Sequence, residues 1–203
     1  MDKKRIERRT FVRWGLAGAA TALGACDSLA DRVLSGARRA SPTPACGDGP
    51  TPAQTAGPFY TPDTPLRASL LEADTRGTRL HLSGRVLDTA CRPLPGALLD
   101  FWQADDDGAY DNEGFRLRGH QFADEDGAYR LETVVPGLYP GRTRHIHVKV
   151  QGAGTGLLTT QVYFPGEAGN LSDGIFRPDL AVQTLPATGG IRQTAFDFVL
   201  APR

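Results

Sequence analysis

No stretch of this 203-residue chain keeps helical periodicity over ten or more residues, which argues against any architecture built on helices. Internal repeats are missing too, so a solenoid is excluded. No apolar run is long enough to cross a bilayer as a mature anchor; "WGLAGAATALGAC" at residues 14–26 is short and made largely of Gly and Ala. Charge of one sign is lacking. The 23 basic and 23 acidic side chains cancel, and from residue 26 onward 17 basic groups face 21 acidic ones, a net of −4. Nucleic acid is therefore not an expected partner. Cysteine is scarce, with only Cys26, Cys46 and Cys91.

A net basic charge marks the start, where residues 1–13 hold six Lys or Arg against two acids. The twin arginines Arg8 and Arg9, the small-residue run and Leu23-Gly24-Ala25-Cys26 follow in the order of a twin-arginine lipoprotein signal. Residues 1–25 are accordingly expected to be a signal peptide, with Cys26 lipidated and the mature protein tethered to a membrane outside the cytoplasm. Residues 26–49, rich in Ser, Ala, Arg, Pro and Gly, are expected to form the tether. Export favours thiol pairing, and lipidation of Cys26 leaves Cys46 and Cys91 as the expected disulfide.

Residues 50–203 are expected to form the folded domain. Short alternating runs, "TRLHLSGRVLD", "ALLDFWQA", "AYRLETV", "LLTTQVYF" and "TAFDFVL", are separated by turn-forming stretches such as "DTACRPLPG" and "VPGLYPGR". That pattern predicts an all-β fold, an antiparallel sandwich of short strands with long loops. In "RHIHVKV", alternation sends Ile146, Val148 and Val150 to one face and His145, His147 and Lys149 to the other. The aliphatic face reads as core. The histidine face must meet water, a polar network or a ligand. Tyr110, after Asp105-Asp106-Asp107-Gly108, and Tyr139, between Gly137-Leu138 and Pro140, both fall in loops. Two imidazoles with two phenols make a metal constellation, and phenolates suit a hard, highly charged ion such as Fe(III). Two surface turn tyrosines fit the residues equally well at this level.

"TPAQTAGPFY", "GRVLDTACRPLPGALLDFWQADDDGAYD", "RGHQFADEDGAYRLETVVPGLYPGRTRHIHVKV" and "LLTTQVYFPGE" together resemble the intradiol ring-cleavage dioxygenases, non-haem Fe(III) enzymes, in consistent order over roughly residues 50–180. The resemblance implies one Fe(III) per chain held by Tyr110 and His145 as equatorial ligands and by Tyr139 and His147 as axial ones. It also implies roles for Arg142, which supports negative charge on the ring, and for Gln161 beside it. The implied substrates are a catechol and O2, cut between the two hydroxylated carbons to a muconate-type dicarboxylate. Nothing between residues 27 and 77 is long or periodic enough to supply the N-terminal helical dimerisation region of the catechol type, which brings the chain nearer the protocatechuate type; Thr143-Arg144 stands before the histidines where the family often has Pro-Ala, and association of chains stays open. His120 in "RGHQF" is expected in a solvent-facing loop. Two other readings remain: an exported binding module keeping the skeleton of a metal site without catalysis, and a copper or zinc carrier using His145 and His147 alone.

Overall fold

A computed structural model of the protein describes residues 49–203; the expected signal peptide, nearly all of the tether, Cys26 and Cys46 lie outside the described residues. Nine strands follow one another: β1 Arg79–Asp88, β2 Leu98–Trp102, β3 Arg118–Phe122, β4 Ala128–Val134, β5 His145–Gln151, β6 Leu158–Tyr163, β7 Gln183–Thr188, β8 Ile191–Ala195 and β9 Phe198–Leu200. Among the described residues helix is confined to two 3-10 turns, Ala168–Leu171 and Pro178–Leu180. Among the described residues no helix is long and apolar enough to cross a membrane.

The strands form two sheets. One is antiparallel, in the order β3-β2-β5-β6. The other runs β4-β1-β8-β7 with β9 also on β1, and it is mixed, because β1 pairs in parallel with β8 and β9; the expected all-β sandwich of short strands is what the chain forms. "TAFDFVL" is not one strand but two, because the chain breaks its pairing at Phe196-Asp197, where Asp197 accepts the Arg85 N–H at 2.8 Å.

The core lies between the sheets. Leu99 and Phe101 of β2, Ile146, Val148 and Val150 of β5 and Val162 of β6 meet Leu80, Leu82 and Val86 of β1, Leu131 of β4 and Phe198 of β9, all fully buried. Each such side chain withdrawn from water is worth about 1.5–3 kcal/mol. Alternation then turns Trp102, His145, His147, Gln161 and Tyr163 to the opposite face of the antiparallel sheet.

That polar face is not left to solvent. The segment before Pro65 lies along it and meets Gln161 with a backbone carbonyl, Gln161 Nε2 donating to Thr55 O at 2.9 Å. Tyr60 and Thr64 donate to Asp100 at 3.0 and 2.7 Å. His120 is on strand β3, not in a loop, and its Nδ1 sits 2.7 Å from Thr64 O. Cys91 is disulfide-bonded.

Candidate metal centre

His145 and His147 are 4% and 3% exposed, with ring centroids 4.8 Å apart. Two contacts fix their planes. Strand register places Trp102 directly opposite His147, and the two rings stack at 4.8 Å and 7°. At the strand entrance, His145 Nδ1 donates to Thr143 O at 2.6 Å. A proton held there leaves the Nε2 lone pair free. Nε2 lies 3.1 Å from Tyr110 Oη.

The tyrosines come from two loops that only glycine allows to touch. Asp105 shapes the first: its carboxylate accepts the Asp107 and Ala109 N–H groups at 3.0 and 2.9 Å. Gly108 takes φ +91, and a Cβ there would stand 2.2 Å from Leu138 O. Across the contact, a Cβ on Gly137 would stand 2.2 Å from Gly108 N. This approach, with Gly137 N–H donating to Asp105 O at 2.6 Å, brings Tyr110 and Tyr139 to a ring separation of 5.9 Å. Tyr110 is also 6.1 Å from the His147 ring. Tyr110, Tyr139, His145 and His147, expected together from the sequence, do converge.

Arg142 and Gln161 join them. Arg142 donates through one terminal nitrogen to Gln161 Oε1 at 2.7 Å, and Gln161 spends its amide on Thr55 O. Gln161 therefore ties arginine to overlying strap rather than making a simple cross-strand bond. Sequence reasoning missed several partners. Phe59 stacks on Tyr110 at 4.6 Å and meets Tyr139 edge-on at 5.4 Å. Arg118, fully buried, donates to Phe59 O at 2.5 Å and to Asp111 O at 3.0 and 2.6 Å, joining the strap to the Tyr110 loop. Asp173 receives Arg142 Nε at 2.9 Å. Phe59 fell only within a segment that carries the resemblance, and nothing marked Arg118 or Asp173.

Burial dominates the electrostatics. It pushes His145 down to about 4, and it pushes His147 down to about 2 with help from His145, Arg142 and Arg118. Both imidazoles are thus neutral, the form that ligates. Burial also raises Tyr110 well above a normal phenol, against the pull of Arg142 and Arg118. A phenolate at Tyr110 therefore needs a stronger cation than the protein itself supplies. His147 Nδ1 is enclosed without a partner. Among the described residues no three His, Cys, Asp or Glu side chains gather as ligands, so any ion here must accept phenols. Two neutral nitrogens and two ionisable phenols match a hard trivalent ion, and the residues fit Fe(III).

Fold and donor set define an all-β sandwich with two nitrogen and two oxygen donors gathered beside the segment before Pro65. The dioxygenase family profile matches residues 55–202. The chain belongs to the intradiol ring-cleavage dioxygenase family. It is 31% identical over 147 residues to hydroxyquinol 1,2-dioxygenase of a Rhizobium species, covering 59% of this chain and 50% of that one. With catechol 1,2-dioxygenase of a Pseudomonas species it shares 29% identity over 194 residues, 76% of this chain and 64% of the relative. The chain thus spans between half and two thirds of the length of those two relatives. Among solved structures, the dioxygenase domain of a dioxygenase and carbohydrate-binding protein fusion from the cellulolytic bacterium Streptomyces sp. SirexAA-E is 54% identical, with a TM-score of 0.73 over 76% of this chain and 100% of that one. Hydroxyquinol 1,2-dioxygenase from Pseudomonas putida DLL-E4 superimposes with a TM-score of 0.68 at 26% identity, over 86% and 71% of the two chains.

Proposed function

We propose that this protein is a non-haem Fe(III) dioxygenase that opens a catechol-type ring between its two hydroxylated carbons, placing both atoms of O2 in a muconate-type dicarboxylate. The observation that carries this reading is the convergence of Tyr110, Tyr139, His145 and His147, with Tyr110 Oη and His145 Nε2 at 3.1 Å and Arg142 beside them. Bound by these four, Fe(III) supplies a Lewis-acidic, electron-accepting centre that activates the ring toward O2. Everything else falls to the chain.

Tyr139 would be one of the residues that hold the iron, and its Oη would take a hydroxyl proton of the incoming catechol. Arg142, anchored by Gln161, presents fixed positive charge to the negative charge that grows on the ring. Phe59 and Trp102 pack their rings against Tyr110, Tyr139 and His147 and so limit the water that would screen that charge. Tyr110 and His145, pinned by Phe59 and Thr143 O, stay in place through the cycle.

A panel of catechols under oxygen uptake tests the reading. Stoichiometric uptake, with a product cut between the hydroxyl-bearing carbons, is expected. An iron-loaded protein that consumes no oxygen with any of them leaves the metal-site binding module as the better account. We also propose export by the twin-arginine route and lipidation at Cys26, supported by the order of Arg8, Arg9 and the Leu23–Cys26 motif. Membrane association unchanged in Cys26→Ser would refute it. The pairing of Cys91 with Cys46 is part of the same proposal.

A further inference from the structure

Arg142 is held from two directions, and only one of them belongs to the pocket. Its terminal nitrogen reaches Gln161, while its Nε donates to Asp173 Oδ2 at 2.9 Å, 31 residues further along the chain. The Asp173 side chain is 2% exposed against 20% for that of Arg142, so the acid is the fixed member of the pair. Both carboxylate oxygens are engaged: Oδ2 also accepts the Thr143 N–H at 2.9 Å, and Oδ1 accepts the Ile175 N–H at 3.0 Å. Burial alone would raise this carboxyl, yet the Thr143 and Ile175 N–H groups and Arg142 hold it below the usual carboxylate range. The surrounding segment is fastened as well. Thr143 Oγ1 donates to Asn170 Oδ1 at 2.7 Å, and Asn170 Nδ2 donates to Phe164 O at 2.9 Å.

An arginine side chain is long and loses much rotamer freedom when fixed. With Nε engaged by a buried carboxylate, the guanidinium plane is set and its outer nitrogens are left for the pocket. We propose that Asp173 is the positioning residue of the catalytic arginine: it aims Arg142 and does not itself touch the substrate. The proposal rests on the dioxygenase reading and deepens it.

A double-mutant cycle tests it with Asp173→Asn, Arg142→Ala and the pair, each iron-loaded. Asp173→Asn is expected to lower kcat about tenfold through loosened positioning, with iron content, resting colour and anaerobic binding of catechol close to wild type. In the Arg142→Ala background the same change should alter kcat by less than about twofold, since nothing is left to aim. Asp173→Glu, which restores the charge, should recover part of the loss. Should Asp173→Asn fail to fold, Arg142→Lys removes the Nε donor from the other side while keeping the charge, and about a tenfold loss is expected again. Equal losses in both backgrounds, loss of iron on Asp173→Asn, or a wild-type rate in Arg142→Lys would overturn the assignment while leaving the dioxygenase intact. A wild-type protein without oxygen uptake overturns both.

Discussion

Replacing Arg118 with methionine should unfasten the strap from the tyrosine loop without emptying the space the side chain fills. Methionine keeps the apolar stem and removes the guanidinium. Three hydrogen bonds go with it, one to Phe59 O and two to Asp111 O. Half-buried carbonyls left unmet cost about 1–2 kcal/mol each. Against that, Arg118 is a fully buried cation whose hydrogen-bond partners are carbonyls rather than carboxylates, and burial lowers its pKa; removing it returns some desolvation energy. The net should be a loss of about 2–3 kcal/mol, or roughly 4–12 °C in Tm for a domain of this size. The assay is urea unfolding of metal-free wild type, Arg118→Met and Arg118→Lys, the last retaining one donor and falling between. Iron affinity should drop in parallel, because Phe59 and Tyr110 are stacked at 4.6 Å. A loss under about 0.5 kcal/mol would refute the reasoning: the strap would then be held by its other bonds alone.

Three further outcomes follow from the site. His145→Ala or His147→Ala should abolish iron, colour and turnover together, measured on one preparation by metal analysis, absorbance and oxygen uptake. Tyr139→Phe should lower turnover at least tenfold more than it lowers iron content, since three donors remain while the proton acceptor is gone; equal losses would contradict that role. For metal-free protein, His145 and His147 sit at about 4 and about 2 in the folded state against about 6.5 unfolded. The unfolded chain then binds more protons below about pH 6.5, so stability present above that pH is lost as pH falls toward 4. Urea midpoints at pH 7 and pH 5 check this, and a drop as large in the His145→Gln, His147→Gln double variant would assign it elsewhere.

The strands whose alternation is strong were legible: β1, β2, β4, β5 and β6 fall inside the runs that the sequence singles out. β3 was not, because the residues of "RGHQF" that face the core are Gly119 and Gln121, while its one large apolar side chain, Phe122, is 55% exposed. Strand β7 escaped for another reason. Its pattern is almost wholly exposed and contains Pro186, as an edge strand permits. The parallel pairing of β1 with β8 and β9 is a tertiary choice with no local signal. At the site, two histidines on one strand face could be read from period two, and the two tyrosines from their loops. Their convergence was implied only by the family resemblance and not by local pattern, because it depends on Gly108 and Gly137 meeting back to back. Asp173 lies in a stretch without periodicity, and its partner Arg142 is 31 residues away.

The central claim is that Tyr110, Tyr139, His145 and His147 together bind one Fe(III). Titration of metal-free protein with Fe(III), followed in the visible range, tests it most directly. Phenolate-to-iron charge transfer should grow to a sharp endpoint at one ion per chain, weaken in Tyr110→Phe and in Tyr139→Phe, and vanish in the double variant. Binding without a visible band, or a band untouched by both substitutions, would contradict the account.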